Sequence, residues 1–315
     1  MGIKSTLKKS KVITSCYHWC QKSGYEIATA ISPRLNTRIR YRQAFKKKWD
    51  PDNPITLNDK IHWLKLNTYY KNPVVKQCAD KYKVREYIEE KGCSEILNDL
   101  IAVYEKVEDI EWDALPDKFA MKLNVGCGFN IIVNDKSKLD ISEAKKKLKK
   151  WMREKYYLLF AEMQYKGVKP YIVVEKYLEP KTGILPEDYK VYCMNGKPVY
   201  IFVCVGREHN GRPKFYFFDT DWNLARINKD SINAPEGFTL ERPSCLDELL
   251  SCAKKLSEPF PFVRADFYIV NDKVYFGELT FSPSGGLDMN RLPETDLMLG
   301  EMVDLSYDPQ KNANG

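Results

Sequence analysis

Two carboxylates near the end of the chain are the residues best spaced to do chemistry. Asp266 lies in the strand-like run FVRADFYIV and Glu278 in KVYFGELTF, and the two runs flank Asn271 and Asp272. If Asn271, Asp272 and Lys273 form a three-residue loop, Val270 pairs with Val274, and the same ladder sets Asp266 opposite Glu278 and Arg264 opposite Thr280. Side chains alternate along a strand, so all four then share one face. Two carboxylates roughly 5 Å apart repel each other unless a counter-charge joins them. A hard divalent cation supplies that charge, and magnesium needs only one or two carboxylates when substrate phosphates complete its shell. The competing reading is that both acids face solvent, neutralised by Arg264 or a lysine. A two-residue turn would shift the register by one, put the acids on opposite faces and remove the case for a shared metal.

Two further groupings bear on phosphate or metal. Glycines in the tip Val125-Gly126-Cys127-Gly128 let backbone N–H groups close on phosphate oxygens, and Lys122 can reach the same anion. Asp219-Thr220-Asp221 is an Asp-x-Asp of the type that binds the metal of a nucleotide-sugar donor, which makes a glycosyltransferase the alternative function. In FFDTDWN the same acids can simply turn the chain between strands. Ser282 and Ser284 of FSPSGG have no histidine near them in sequence and are read as turn formers or acceptor contacts, not as nucleophiles.

The elements that must position these residues show in the periodicity. Thr56 with Asp59 reads as a helix N-cap ahead of Leu57, Ile61 and Leu64. A second helix is bracketed by Pro73 and Gly92, with Val74, Cys78 and Tyr82 inward, and a third, amphipathic one spans Ser142 to about Phe160 with Leu148, Trp151 and Met152 inward. Between them KFAMKLNV and FNIIVND form a hairpin with the glycine-rich tip. From Tyr171 strands dominate: YIVVEKYL, then KVYCM and KPVYIFVCV joined by Asn195-Gly196, a two-residue hairpin signal. A helix near Leu246 to Leu256 precedes the carboxylate hairpin.

Composition excludes several classes. With 315 residues and 43% hydrophobic content the chain has material for about two domains. Nine cysteines without a Cys-x-x-Cys pair indicate reduced thiols in a cytoplasmic setting. His18, His62 and His209 are too scattered to suggest a zinc site or a Ser-His-Asp triad. The apolar-leaning stretch Val12 to Cys20 falls well short of the roughly 20 residues that span a bilayer, and no signal segment is read. Residues 1–48 carry eight Lys and four Arg against Glu26, which makes them +11 and leaves −4 for the rest of a chain of net +7. A basic patch confined to an N-terminal arm speaks against nucleic acid. Two readings remain open for it: peripheral contact with anionic lipid headgroups, or a solvated tail without a partner. The opening MGIKST also fits the N-myristoylation pattern, which is too short to carry weight.

Taken in order, DKYKVREYI, LPDKFAMKLNVGCGFNIIVNDKSKLD, VVEKYL, DYKVYCMNGKP and FPFVRADFYIVNDKVYFGELTF resemble the ATP-grasp superfamily, and within it the TupA-like branch linked to teichuronopeptide and other bacterial surface polysaccharides. The resemblance covers about Asp50 to Asp304. It implies an α+β protein whose two subdomains, each with an antiparallel sheet, clasp ATP, preceded by the basic helical arm. The divisions it suggests are an arm over 1–50, a subdomain over 51–117, a lid over 118–178, a metal-bearing subdomain over 179–305 and a tail over 306–315. By resemblance Lys81 and Lys122 contact ATP phosphates, Gly126, Cys127 and Gly128 form the lid tip, and Glu175, Lys176, Tyr177 and Leu178 line adenine. Asp266, Glu278 and the weaker oxygen of Thr280 hold Mg2+, Arg264 stands near an acyl phosphate, and Lys190 faces the phosphates or the acceptor carboxylate. Thr280 stands where many members carry Asn, and Phe129 where a further glycine is usual. The implied reaction is ATP-dependent carboxylate–amine ligation through an acyl phosphate, with a uronic acid or other carboxylate-bearing saccharide, or an amino acid, as acceptor.

Overall fold

The computed structural model describes residues 11–180, 186–206 and 213–309, with 11–18 given by backbone alone. The MGIKST opening, His209 and residues 310–315 lie outside them.

The arm is a helical pair, α1 (Lys11–Ile31) and α2 (Pro33–Phe45), broken at extended Ser32 because Pro33 starts a new helix more readily than it continues one. Helix α3 (Leu57–Leu64) begins with the expected cap made reciprocal. The Asp59 N–H donates to Thr56 Oγ1 at 3.2 Å and the Thr56 N–H to Asp59 Oδ2 at 3.1 Å. Leu57, Ile61 and Leu64 are fully buried, worth about 1.5–3 kcal/mol each.

The single helix expected from Pro73 to Gly92 is instead two, α4 (Pro73–Ala79) and α5 (Val84–Glu90). Asp80 leaves the helical region at ψ 113, and its Oδ1 accepts from the N–H groups of Tyr82 (2.8 Å) and Lys83 (3.1 Å). An aspartate offering this turn competes with helix continuation. The break turns Lys81 out of the helix, and its backbone N–H donates to Asn124 O at 2.8 Å.

The first sheet is antiparallel and ordered β1-β4-β2-β3, from β1 (Leu100–Tyr104), β2 (Phe119–Leu123), β3 (Asn130–Val133) and β4 (Ile172–Lys176). Helix α6 (Ile141–Arg153) covers it, and Phe119, Met121, Leu148 and Val174 form a core of their own. The helix expected to reach Phe160 stops at Arg153, and a separate turn, α7 (Tyr157–Phe160), follows. Glu154 turns extended there, and the Phe129 ring is held between Trp151 at 5.5 Å and Tyr156 at 5.8 Å. Two aromatic contacts on either side of the bend outweigh continued helix.

The second sheet, also antiparallel, is ordered β10-β9-β5-β6-β7-β8. Its strands are β5 (Glu187–Met194), β6 (Lys197–Val205), β7 (Lys214–Asp219), β8 (Leu224–Ala225), β9 (Phe262–Val270) and β10 (Lys273–Thr280). Helices α8 (Lys229–Ile232), α9 (Leu246–Ser257) and α10 (Pro293–Glu301) complete this half. Leu249 and Leu256 of α9 share the larger core with Tyr192, Phe217 and Phe262. Asn195 and Gly196, both at positive φ (51° and 72°), close the β5–β6 hairpin in two residues as expected. The α+β architecture is therefore as the sequence implied, with a helical arm ahead of two sheet-bearing halves.

Candidate functional site

The carboxylate pair forms by a route different from the one expected. The β9–β10 turn has two residues, Asn271 and Asp272, both at positive φ (52° and 59°), so Val270 pairs with Lys273 and the tip is one residue shorter than a three-residue loop. Left alone, that register would send Asp266 and Glu278 to opposite faces. A bulge between Phe276 and Glu278 inserts Gly277 and restores the offset, so Glu278 pairs with Asp266 and Thr280 with Arg264. A Cβ at Gly277 would lie 2.9 Å from the Asp266 carbonyl oxygen, which is why the bulge carries no side chain.

The side chains converge as the shared face requires. Arg264 grips Asp266 through both oxygens, Nε to Oδ1 at 2.7 Å and Nη2 to Oδ2 at 2.6 Å, and Thr280 Oγ1 donates to Glu278 Oε1 at 3.2 Å. Lys190, opposite Asp266 on β5, sits 3.4 Å from Asp266 Oδ2 and also bonds Asp188. Burial works to lower Lys190, but Asp266 and Asp188 outweigh it and raise it above the usual lysine range. Burial likewise works to raise Glu278, but Lys81 and Arg264 dominate and hold it at about 2. Asp188 carries no motif of its own, although it stands two residues from Lys190 and so shares its face.

Lys81 joins this face to the glycine tip. Its ammonium lies 3.2 Å from Glu278 Oε2 and donates to Gly126 O at 2.6 Å. Gly126 and Gly128 both have positive φ (82° and 77°), and a Cβ on Gly126 would meet the Tyr156 ring at 2.9 Å. Cys127 is exposed at the tip, its thiol pushed up by partial desolvation and by Glu278. Asn124 anchors the hairpin base: its amide donates to Asp80 Oδ2 at 2.7 Å, and its oxygen accepts from the Tyr171 N–H at 2.7 Å.

The remaining expected residues gather on the first sheet. Lys122 on β2 pairs with Glu175 on β4 at 2.8 Å, and Arg85, from α5, approaches the other Glu175 oxygen at 3.8 Å. Lys176 is exposed and pairs with Asp99 at 3.1 Å, while its backbone oxygen accepts from Asn98 Nδ2 at 2.8 Å. Tyr177 and Leu178, half-buried, follow the end of β4. Arg85 escapes a reading of the sequence because nothing in VREY distinguishes it from a surface arginine. A second such group lies past β10: Ser282 donates to Glu162 Oε1 at 2.6 Å, and burial raises the Glu162 carboxyl. Ser282 reads in sequence only as a turn former or acceptor contact, and Glu162 carries no sequence signal, since the two are brought together across 120 residues. Ser284, by contrast, is exposed in the following turn.

The donor set around Asp266 and Glu278 suits a hard cation. All its ligand atoms are oxygens, two carboxylates and one hydroxyl, on one face of a rigid hairpin. Asp266 Oδ1, which among the described residues accepts only from Arg264 Nε, retains lone-pair capacity for a second partner, while Oδ2 is shared by Arg264 and Lys190. Asp219 of Asp219-Thr220-Asp221 is a turn residue. Asp219 Oδ1 accepts from the N–H groups of Asp221 (3.0 Å) and Asn223 (2.7 Å), and Oδ2 from Asn223 Nδ2 (3.0 Å). Its carboxylate serves the turn after β7, the turn-forming reading of FFDTDWN.

A family model described as TupA-like ATPgrasp matches residues 59–304. No curated protein matches the chain. Among solved structures, the D-alanine–D-alanine ligase from Bacillus anthracis complexed with ATP is 17% identical, with 72% of this chain and 69% of that chain covered at a TM-score of 0.40. N5-carboxyaminoimidazole synthetase from Staphylococcus aureus complexed with ADP is 14% identical, with 73% of this chain and 52% of that one covered at a TM-score of 0.42. Likenesses this distant assign no substrate.

Proposed function

Because the chain belongs to the TupA-like ATP-grasp family, whose fold binds ATP, we propose that it is an ATP-dependent carboxylate–amine ligase with its phosphoryl-transfer centre between the glycine tip and the β9–β10 hairpin. The observation that carries this reading is Lys81, whose ammonium lies 2.6 Å from Gly126 O and 3.2 Å from Glu278 Oε2. One cation thus links a phosphate-closing loop to a carboxylate pair suited to metal. In this reading residues 118–178 act as the lid and 179–305 as the metal-bearing half.

Lys81 and Lys122 bind phosphate oxygens, and Glu175 to Leu178 line adenine. Asp266 and Glu278, with Thr280, would hold Mg2+, which when bound neutralises phosphate charge. The acceptor carboxylate attacks the γ-phosphorus, the bond to the bridging oxygen breaks, and ADP leaves with that electron pair. Arg264 stabilises charge on the transferring group and Lys190 orients the acceptor carboxylate. An amine then attacks the acyl carbon and expels phosphate. The acceptor class, a uronic acid or an amino acid destined for a surface polysaccharide, rests on the family resemblance alone, and the cytoplasm is where ATP is available to it.

Hydroxylamine tests the scheme without the natural amine. With ATP, magnesium and a panel of uronic and amino acids, hydroxamate should form together with stoichiometric ADP for the accepted carboxylate. Consumption of a nucleotide-sugar in place of ATP would overturn the reading.

A further inference from the structure

The arm's outer side has the composition of a surface that meets lipid. Eleven large apolar side chains are exposed among the described residues, and four of them, Trp19 (68%), Ile27 (61%), Ile31 (72%) and Leu35 (38%), fall within residues 19–35. Elsewhere they occur singly or as a neighbouring pair, which needs no explanation. Along α1 the exposed positions Cys20, Gly24, Ile27 and Ile31 recur at helical spacing, with Trp19 beside them. The opposite side of the helix is occupied: Ala28 and Thr29 are buried, and Thr29 Oγ1 donates to Leu158 O at 2.6 Å on α7. The apolar residues are therefore not left over from helix packing.

Charge along the helical pair is mostly of one sign, although Lys22 also reaches Glu154 at 2.9 Å. Arg34, Arg38 and Arg42 are exposed on α2 at intervals of four, and Lys46, Lys47 and Lys48 follow, also exposed. Residues 19–48 carry four Lys and four Arg against Glu26 alone, and Glu26 is itself paired with Lys22 at 3.8 Å. Arg40 is the exception that packs inward, over the Tyr25 and Phe160 rings at 4.2 and 3.9 Å. A solvated tail would have no reason to expose tryptophan and isoleucine, and a nucleic-acid surface would have no use for an aliphatic stripe. Exposed apolar side chains and exposed arginines on the same helical pair complement a bilayer carrying anionic lipids.

We propose that the α1–α2 pair docks on an anionic membrane surface, Trp19, Ile27 and Ile31 entering the interface while Arg38, Arg42 and the lysines at 46–48 meet phosphate headgroups. The inference is independent of the ligase reading, because none of these residues belongs to the nucleotide site.

Co-sedimentation of the full chain with vesicles tests it. Phosphatidylcholine vesicles containing about one third phosphatidylserine should retain the protein, and pure phosphatidylcholine should not. Ile27→Ser with Ile31→Ser should weaken partition about tenfold or more. Arg38→Gln with Arg42→Gln should weaken it about fivefold per charge, an effect that raised salt reproduces in the wild type. Far-UV circular dichroism and the denaturant midpoint should stay unchanged in both variants, which shows that they are folded. Absence of sedimentation with anionic vesicles, or sedimentation unchanged in both variants, would overturn the proposal. So would a concentration-dependent doubling of mass in light scattering that the isoleucine variant abolishes, which would give the stripe to a second copy.

Discussion

The two sheets offer charge to the proposed site in different ways. On the four-stranded sheet one acid, Glu175, faces two cations, Lys122 and Arg85. On the six-stranded sheet Asp188, Asp266 and Glu278 meet Lys190, Arg264 and Lys81, three against three. The first arrangement has positive charge to spare for a polyphosphate. The second is already balanced and gains affinity for phosphate only when a further cation arrives. If the proposed site is right, the work divides: the four-stranded side should hold phosphate with or without metal, and the hairpin side should depend on metal.

The largest way to break that division is through the bulge. Gly277→Val places a side chain against the Asp266 backbone, and both responses to it, loss of the bulge or local distortion, separate the carboxylates. Magnesium-dependent binding of an ATP analogue should fall more than about tenfold, with a loss of about 2 kcal/mol in stability by denaturant unfolding. Unchanged binding would show that the register restored at Gly277 is not what assembles the site.

A smaller effect sharpens the contrast. Lys122→Met should weaken analogue binding about tenfold, and by the same factor with and without magnesium, because a charge-assisted bond to phosphate is worth about 1.5–3 kcal/mol. A loss confined to the magnesium-containing titration would move Lys122 to the metal-dependent half.

The smallest is a pH effect. Glu278 has a depressed carboxyl in the folded protein, about 2 against 4.5. A depressed acid adds stability that is complete above the unfolded value and is lost as pH falls through the folded one. The stability gap between wild type and Glu278→Gln, roughly 2 kcal/mol by that shift after allowance for partial exposure, should be constant above pH about 5 and close towards pH 2. A gap that widens on acidification would contradict the pairing with Lys81.

Residue order carried the fold further than it carried the site. The capping box at Thr56 and the Asn195-Gly196 turn are local, and their chemistry is complete within four residues. The carboxylate pair shows what local rules omit. Asn271-Asp272 favours a two-residue turn, which alone would have separated the acids, and the compensating bulge at Gly277 is visible only against the partner strand. Asp80 ended a helix that periodicity continued, because its carboxylate is fixed by Asn124 from another element. Glu162 with Ser282 and Arg85 with Glu175 are contacts between elements distant in sequence, made by residue types that usually lie on the surface. Asp188 was within reach, since strand alternation alone puts it beside Lys190.

The most direct measurement is calorimetric titration of wild type and the Asp266→Asn/Glu278→Gln double variant with a nonhydrolysable ATP analogue, with and without magnesium. Magnesium should tighten binding to the wild type, and the double variant should lose this gain while keeping the weaker metal-independent binding of the lysines. Equal magnesium dependence in both proteins would contradict a metal site at Asp266 and Glu278.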